Sequence, residues 1–425
     1  MKLVHAAILA PAVLALVGSG CPTYVETSAT AGDTQDTSSS TSGDASASAS
    51  STSTSTSEGS GSGGETTGGG GPEVPEAYGE WLKREPPGAL CSNGSQYKFF
   101  VNFSETSDNL LIYLEPGGAC WDYETCSGST SLGAANPDGI PDAHMKKYAD
   151  LSPILRRDVE DNPARDWNLV FIPYCTGDVH TGYKTMIYED PEGKNPPLTY
   201  IHNGHNNIMA VVDYLNTQFP HVGKMMLTGC SAGGAGSLIN YYFFRNGIEG
   251  VDRGYLMDDS GPIFPSSGYS GPLHAKIRGS WDVDPILESI PEGAAIKDDF
   301  GNLNVMLASI FPDDRLSTIY FKRDYNFSRY SYERFYPDPS KEQTLSYWAK
   351  DSALLTEQYD EHENLAYYIP YWREFNDSHC LGIVSYLDTD IPELDMTLPG
   401  FIDQLLDDDA PLESYEESDQ PGEDL

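Results

Sequence analysis

Residues 224–236 read KMMLTGCSAGGAG: an apolar run from Lys224 to Thr228, then Gly229-Cys230-Ser231-Ala232-Gly233, then an apolar stretch from Ala235 that has the character of a helix. A strand, a sharp turn with serine at its apex, and a helix form a nucleophile elbow, in which flanking glycines are needed because a Cβ would collide with the strand or helix. Further apolar runs bounded by turn residues lie at Tyr97–Phe103, Leu110–Leu114, Asn168–Tyr174, Gly254–Met257, Leu316–Phe321 and Leu365–Tyr371. Runs that are apolar on both faces suit a buried, largely parallel sheet. Before the elbow strand, Ile208, Val211, Val212, Leu215 and Phe219 fall at helical spacing and Pro220 ends the segment, which completes a βαβ unit. The expected fold class is α/β: a mostly parallel central sheet flanked by helices, with the Gly- and Pro-rich segment 261–312 inserted as a cap and a helix near 302–310.

A serine hydroxyl needs a base and a trap for the oxyanion. The amide of Ala232 is one expected donor, and the loop Glu115-Pro116-Gly117-Gly118-Ala119-Cys120-Trp121, just past the run ending at Leu114, can supply others. In an order of serine, acid, histidine, the base must come late in the chain. His274, His362 and His379 remain, and only His379 follows the last apolar run. Two positions compete for the acid: Asp324, just past Phe321, and the pair Asp258-Asp259, just past Met257. Asp178, His180 and the pair His202/His205 are expected to play structural hydrogen-bonding roles, with lining of the pocket as the alternative, and Trp121 to serve either as core or pocket wall or as a substrate platform.

With these residues in view, the chain resembles the pectin acetylesterase family. The resemblance is carried by LEPGGACW (114–121), PYCTGDVHTG (173–182), the set His202, Gly204 and Asn207, GCSAGG (229–234), DDSGP (258–262) and SHC (378–380). It implies an α/β-hydrolase with Ser231 as nucleophile, Asp324 as acid, His379 as base, and Gly117, Gly118 and Ala232 as oxyanion donors. Pro116 stands where the family has a glycine; lacking an N–H it cannot donate, which leaves the next two amides.

The 425 residues hold 25 basic and 64 acidic side chains, a net charge of −39, which argues against a nucleic-acid ligand. Lys2 followed by the apolar run Ala6–Val17 reads as a signal peptide over residues 1–20, too short to span a bilayer. Gly18-Ser19-Gly20-Cys21 resembles a lipid-attachment site, making Cys21 the expected anchor of an exported bacterial lipoprotein at the outer membrane or cell surface. Residues 27–76 contain 14 Ser, 10 Thr and 10 Gly with no Lys, Arg or aromatic residue, so 21–76 reads as a disordered tether. The catalytic domain is expected over 77–401, with an acidic tail over 402–425 at whose start Phe401, Leu405 and Leu406 can dock on the domain as a last half-turn. Residues 77–401 carry 46 acidic and 24 basic side chains, a net −22.

Apart from Cys21, six cysteines remain, an even number that suits disulfides in an exported protein; Cys120 with Cys126 is the most local pairing. No CxxC pair exists and the histidines are scattered, so no metal is expected, and the chemistry requires no cofactor. The expected function is a monomeric serine carboxylesterase that removes acetyl or other short acyl groups from a glycan or small ester. A fatty-acyl lipase and a catalytically silent surface binding protein are the alternatives. Pectin is a polyanion, so an acidic domain favours a neutral acetylated glycan unless Lys276, Arg278, Lys322 and Arg323 form a basic patch at the cleft.

Overall fold

The computed structural model describes residues 75–420. The signal peptide, Cys21 and nearly all of the tether lie outside the described residues.

Among the described residues there are eleven strands: β1 Leu82–Arg84, β2 Phe99–Asn102, β3 Leu110–Leu114, β4 Asn168–Ile172, β5 Lys184–Tyr188, β6 Leu198–His202, β7 Val222–Cys230, β8 Val251–Asp259, β9 Arg315–Ile319, β10 Leu365–Ile369 and β11 Tyr415–Glu416. Nine of them form one sheet in the order β1-β2-β4-β3-β7-β8-β9-β10-β11. From β4 to β11 every pairing is parallel, and the antiparallel pairings are confined to β1 with β2 and β2 with β4. β3, β4 and β9 are buried along their whole length, as expected of strands covered on both faces. β5 and β6 form a separate hairpin, which the apolar runs did not announce because only Tyr188, Tyr200 and His202 of its residues are buried.

The helices Gly204–Gln218, Ala232–Gly247, Asn302–Ile310 and Lys341–Tyr359 flank the sheet. The last is 19 residues long and is capped by Ser340, whose side chain accepts from the amide of Gln343 while Gln343 bonds back. Among the described residues no helix is long and apolar enough to cross a membrane. Disulfides join Cys91 to Cys175, Cys120 to Cys126, and Cys230 to Cys380.

The boundary expected between 401 and 402 needs correcting. It falls inside a helix, Leu398–Leu406, whose Phe401, Ile402, Leu405 and Leu406 are all buried. Burying four such side chains at ~1.5–3 kcal/mol each holds a helix to a domain. The following acids are also put to use: Asp408 accepts from Arg253 and Tyr255, Lys322 pairs with Glu416 and Asp419, and Tyr415–Glu416 extends the sheet beside β10. Residues 77–420 thus carry 54 acidic and 24 basic side chains, a net −30, so the folded domain is more acidic than a tail set apart from it implied.

Candidate active site

Ser231 stands at the C-terminal end of β7 with φ 56° and ψ −118°, outside the ordinary regions for a residue with a side chain. Its amide donates to the carbonyl of Asp259 at 2.7 Å, which ties the strained apex to the end of β8. A Cβ on Gly233 would run into the carbonyl oxygen of Leu114 at the end of β3. The small residue there is therefore a packing requirement of the turn.

The oxyanion loop leaves β3 beside the elbow. Gly118 has φ +69°, and a Cβ there would strike Gly133 and the hydroxyl of Tyr330. The amides of Gly117, Gly118 and Ala232 donate to no protein acceptor among the described residues, which leaves them open to a ligand oxygen. Beneath the loop, the buried carboxylate of Glu115 accepts from the amide of Tyr174 at 2.8 Å and from Asn136, and contacts His144 Nε2 at 3.1 Å. His180 Nε2 donates to the Glu115 carbonyl at 2.9 Å; burial lowers His180 to about 4 and keeps it neutral.

His379 Nδ1 lies 2.8 Å from Asp324 Oδ2. A carboxylate only accepts, so Nδ1 carries the proton and Nε2 is left with its lone pair. Asp324 is fully buried, and its other oxygen accepts from the amide of Phe327 at 2.8 Å. Burial pushes its pKa up, and the facing imidazole and amide oppose the rise. Of the two rivals for the acid, Asp258 accepts from Thr318 Oγ1 at 3.4 Å and makes no hydrogen bond to the imidazole among the described residues. Burial and the neighbouring Asp259 push it well above the carboxylate range.

Asp259 has a different task. Its carboxylate accepts from the amides of Leu381 and Gly382, both at 2.8 Å, and from Ser260 Oγ, which in turn accepts from the amide of Cys380 at 3.0 Å. The Cys230–Cys380 disulfide links the residue before Ser231 to the residue after His379, and a ring nitrogen of His379 lies within 4.8 Å of both sulfurs. Ser378 and Cys380, on either side of His379, have φ of 56° and 61°. The loop is bent through unfavourable backbone and held there by covalent and hydrogen bonds. The sequence quoted Asp259 only as part of a rival acid pair; the two amides that it anchors lie more than 120 residues away.

Ser231, Gly118 and Ala232 line a cavity whose other wall is the segment 262–281 together with Phe327, Tyr330 and Ser331. Trp121 is part of that wall and buried. The room open to the centres of water molecules is about 50 Å³. No Lys or Arg lines it. Of the expected basic patch, Lys322 is paired with Glu416 and Asp419, Arg278 with Asp284, and Arg323 lies over the Tyr371 ring.

His202 is tied into structure, whereas the buried Nδ1 of His205 has no hydrogen-bond partner among the described residues. His202 bonds Thr176 and Tyr188, and Asp178 accepts from Thr176 and the amide of Gly204. Burial raises Asp178 to about 6. The two places where cysteine and histidine converge, Cys120/Cys126/His202 and Cys230/His379/Cys380, have their sulfurs joined in disulfides.

Residues 80–294, half of the chain, match the profile of the family described as Pectinacetylesterase; the match ends before Asp324 and His379. Pectin acetylesterase 4 of Arabidopsis thaliana is 33% identical over 187 residues, 43% of this chain and 42% of that protein. Palmitoleoyl-protein carboxylesterase NOTUM of Schmidtea mediterranea is 32% identical over 155 residues, 35% of this chain and 27% of that protein. The chain thus spans less than half the length of these curated relatives. Among solved structures, the Wnt deacylase Notum from Drosophila superposes with a TM-score of 0.53 at 18% identity, covering 76% of this chain and 92% of that one, a likeness of fold.

Proposed function

Since the chain belongs to the pectinacetylesterase family, we propose that it is a serine carboxylesterase acting on short acyl esters, with Ser231, His379 and Asp324 as its triad. His379 Nε2 takes the proton of Ser231 as Oγ attacks the ester carbonyl, and the oxyanion is held by the amides of Gly117, Gly118 and Ala232. The protonated imidazole gives its proton to the leaving alcohol as the C–O bond breaks. Water then attacks the acyl-enzyme with His379 again as base, releasing the acid and restoring Ser231. Asp324 orients the ring and stabilises it when charged.

The observation that carries this reading is the 2.8 Å contact of His379 with Asp324, on a loop stapled by a disulfide to the residue beside Ser231. The small cavity favours acetyl and other short groups over a fatty-acyl chain. The net −30 of residues 77–420 and the absence of a cation from the cavity wall favour a neutral glycan or small ester over pectin. Export and anchoring through Cys21 belong to the same proposal.

Purified Ser231→Ala should lose hydrolysis of 4-nitrophenyl acetate by a factor of roughly 10³ or more, with loss of fluorophosphonate labelling. Activity equal to the parent would overturn the assignment. Acetate release from acetylated xylan should exceed release from acetylated pectin, and the reverse ranking would refute the charge argument.

A further inference from the structure

The cavity beside Ser231 is lined largely by apolar side chains, with Ser270, His274, Tyr330 and Ser331 as its polar residues besides Ser231. Ser270 caps the N-terminus of the helix Gly271–Trp281, and His274 lies one turn on. Both line the cavity and are nearly fully buried, at 1% and 4% exposure. Among the described residues His274 Nδ1 has no hydrogen-bond partner, Ser270 Oγ makes no bond of good geometry although its hydroxyl lies by the Asp351 carboxylate, and no protein group bonds His274 Nε2. Phe300 lies edge-on to the ring at 5.3 Å between centroids, and the charges of Asp299 and Arg278 act on it in opposite directions. Burial lowers the imidazole to about 4, so it is neutral at neutral pH, with one donor and one acceptor nitrogen.

The position of Ser270 is itself fixed. Asp351 accepts from the amides of Tyr269 and Ser270, at 2.6 and 2.8 Å, and from the hydroxyl of Tyr332 at 2.9 Å. Buried polar atoms without partners are costly and uncommon. Here two residues present them, one helical turn apart, in the wall of the cavity that receives the acyl group.

We propose that Ser270 and His274 form a polar end to the acyl pocket, and that the enzyme prefers a short acyl group bearing a hydroxyl over the unsubstituted group of the same length. The inference rests on the esterase reading above. A hydroxyl both donates and accepts, which matches a neutral imidazole beside a serine hydroxyl. A carboxylate-ended group such as succinyl fits poorly. No cation lines the cavity, and the nearby Arg278 is engaged by Asp284 and the Lys297 carbonyl.

The test compares kcat/KM for 4-nitrophenyl 3-hydroxybutyrate and 4-nitrophenyl butyrate. The parent should favour the hydroxy ester about tenfold or more, the effect of one buried hydrogen bond gained. His274→Leu should bring the ratio to about one, Ser270→Ala should lower it in part, and His274→Gln, which keeps a donor and an acceptor, should retain most of it. A parent ratio of one or below, or a ratio unchanged in His274→Leu, overturns the proposal. If neither ester is cleaved in a Ser231-dependent manner, the esterase reading fails, and the polar end is read separately by binding. The His274 ¹⁵N resonances of the Ser231→Ala protein should shift with 3-hydroxybutyramide and remain still with butyramide; equal responses to both amides overturn it.

Discussion

The two walls of the cavity are built in different ways. The elbow wall consists of strand ends: β3, β7 and β8 run parallel and in register, and the oxyanion loop and Ser231 emerge from adjacent C-terminal ends. The facing wall has no such frame. It is assembled from the segment 262–281 and from residues between Phe327 and Ser331, and the loop that carries His379 meets it at Phe327, with ring centroids 6.4 Å apart. What replaces the frame is a set of long-range ties: Asp259 to Leu381 and Gly382, Cys230 to Cys380, and Asp351 to Tyr269 and Ser270. Reactive geometry can therefore be strained on both walls, since backbone pairing holds Ser231 while individual carboxylates and a disulfide hold His379.

That contrast is most exposed to failure at the acid. Asp324→Asn should lower kcat by roughly 10³ to 10⁴ by stabilising the wrong imidazole tautomer. Asp258→Asn, which replaces a carboxyl already held high in pKa, should leave kcat within a few-fold. Equal losses in steady-state assays would undo the assignment of the acid. Next in size is the disulfide. Paired Cys230→Ser and Cys380→Ser should reduce kcat by roughly ten- to a hundredfold, because small displacements of a catalytic group are expensive, and should lower Tm. The pair Cys91→Ser and Cys175→Ser should lower Tm with a smaller loss of kcat; the reverse order would show that the facing wall stands without its staple. On the elbow wall, Glu115→Gln should reduce kcat about tenfold by disturbing the support of the oxyanion loop, with KM less affected.

The smallest effect concerns stability. Burial, opposed by the Thr176 carbonyl, lowers His202 to about 4. Between the unfolded value of 6.5 and about 4 the unfolded chain binds the additional proton, so this group's contribution is present above pH 6.5 and is lost as pH falls. The gap in unfolding free energy between parent and His202→Gln should therefore narrow on acidification, at a rate approaching ~1.4 kcal/mol per pH unit. A gap constant with pH would show that His202 does not titrate in this way.

Much of the elbow wall was legible because its signals are local. Apolar runs marked seven strands of the main sheet, and GCSAGG and LEPGGACW name their own backbone requirements within a few residues. β1 and β11 are three and two residues long and leave no periodic trace. The helix Leu398–Leu406 was taken for the start of a tail because acids follow it closely, although those acids bind Arg253 and Lys322 on the domain.

The sequence by itself determined the sheet, the elbow, the donor loop and the short list of bases and acids, because each depends on the size, branching or backbone freedom of adjacent residues. Only the tertiary structure set Asp324 rather than Asp258 against the His379 ring, gave Asp259 its anchoring role, paired the cysteines and placed Ser270 and His274 in the cavity wall. Those outcomes depend on which groups distant in sequence come within about 3 Å, a distance set by the packing of strands and loops and carried by no local pattern of residues.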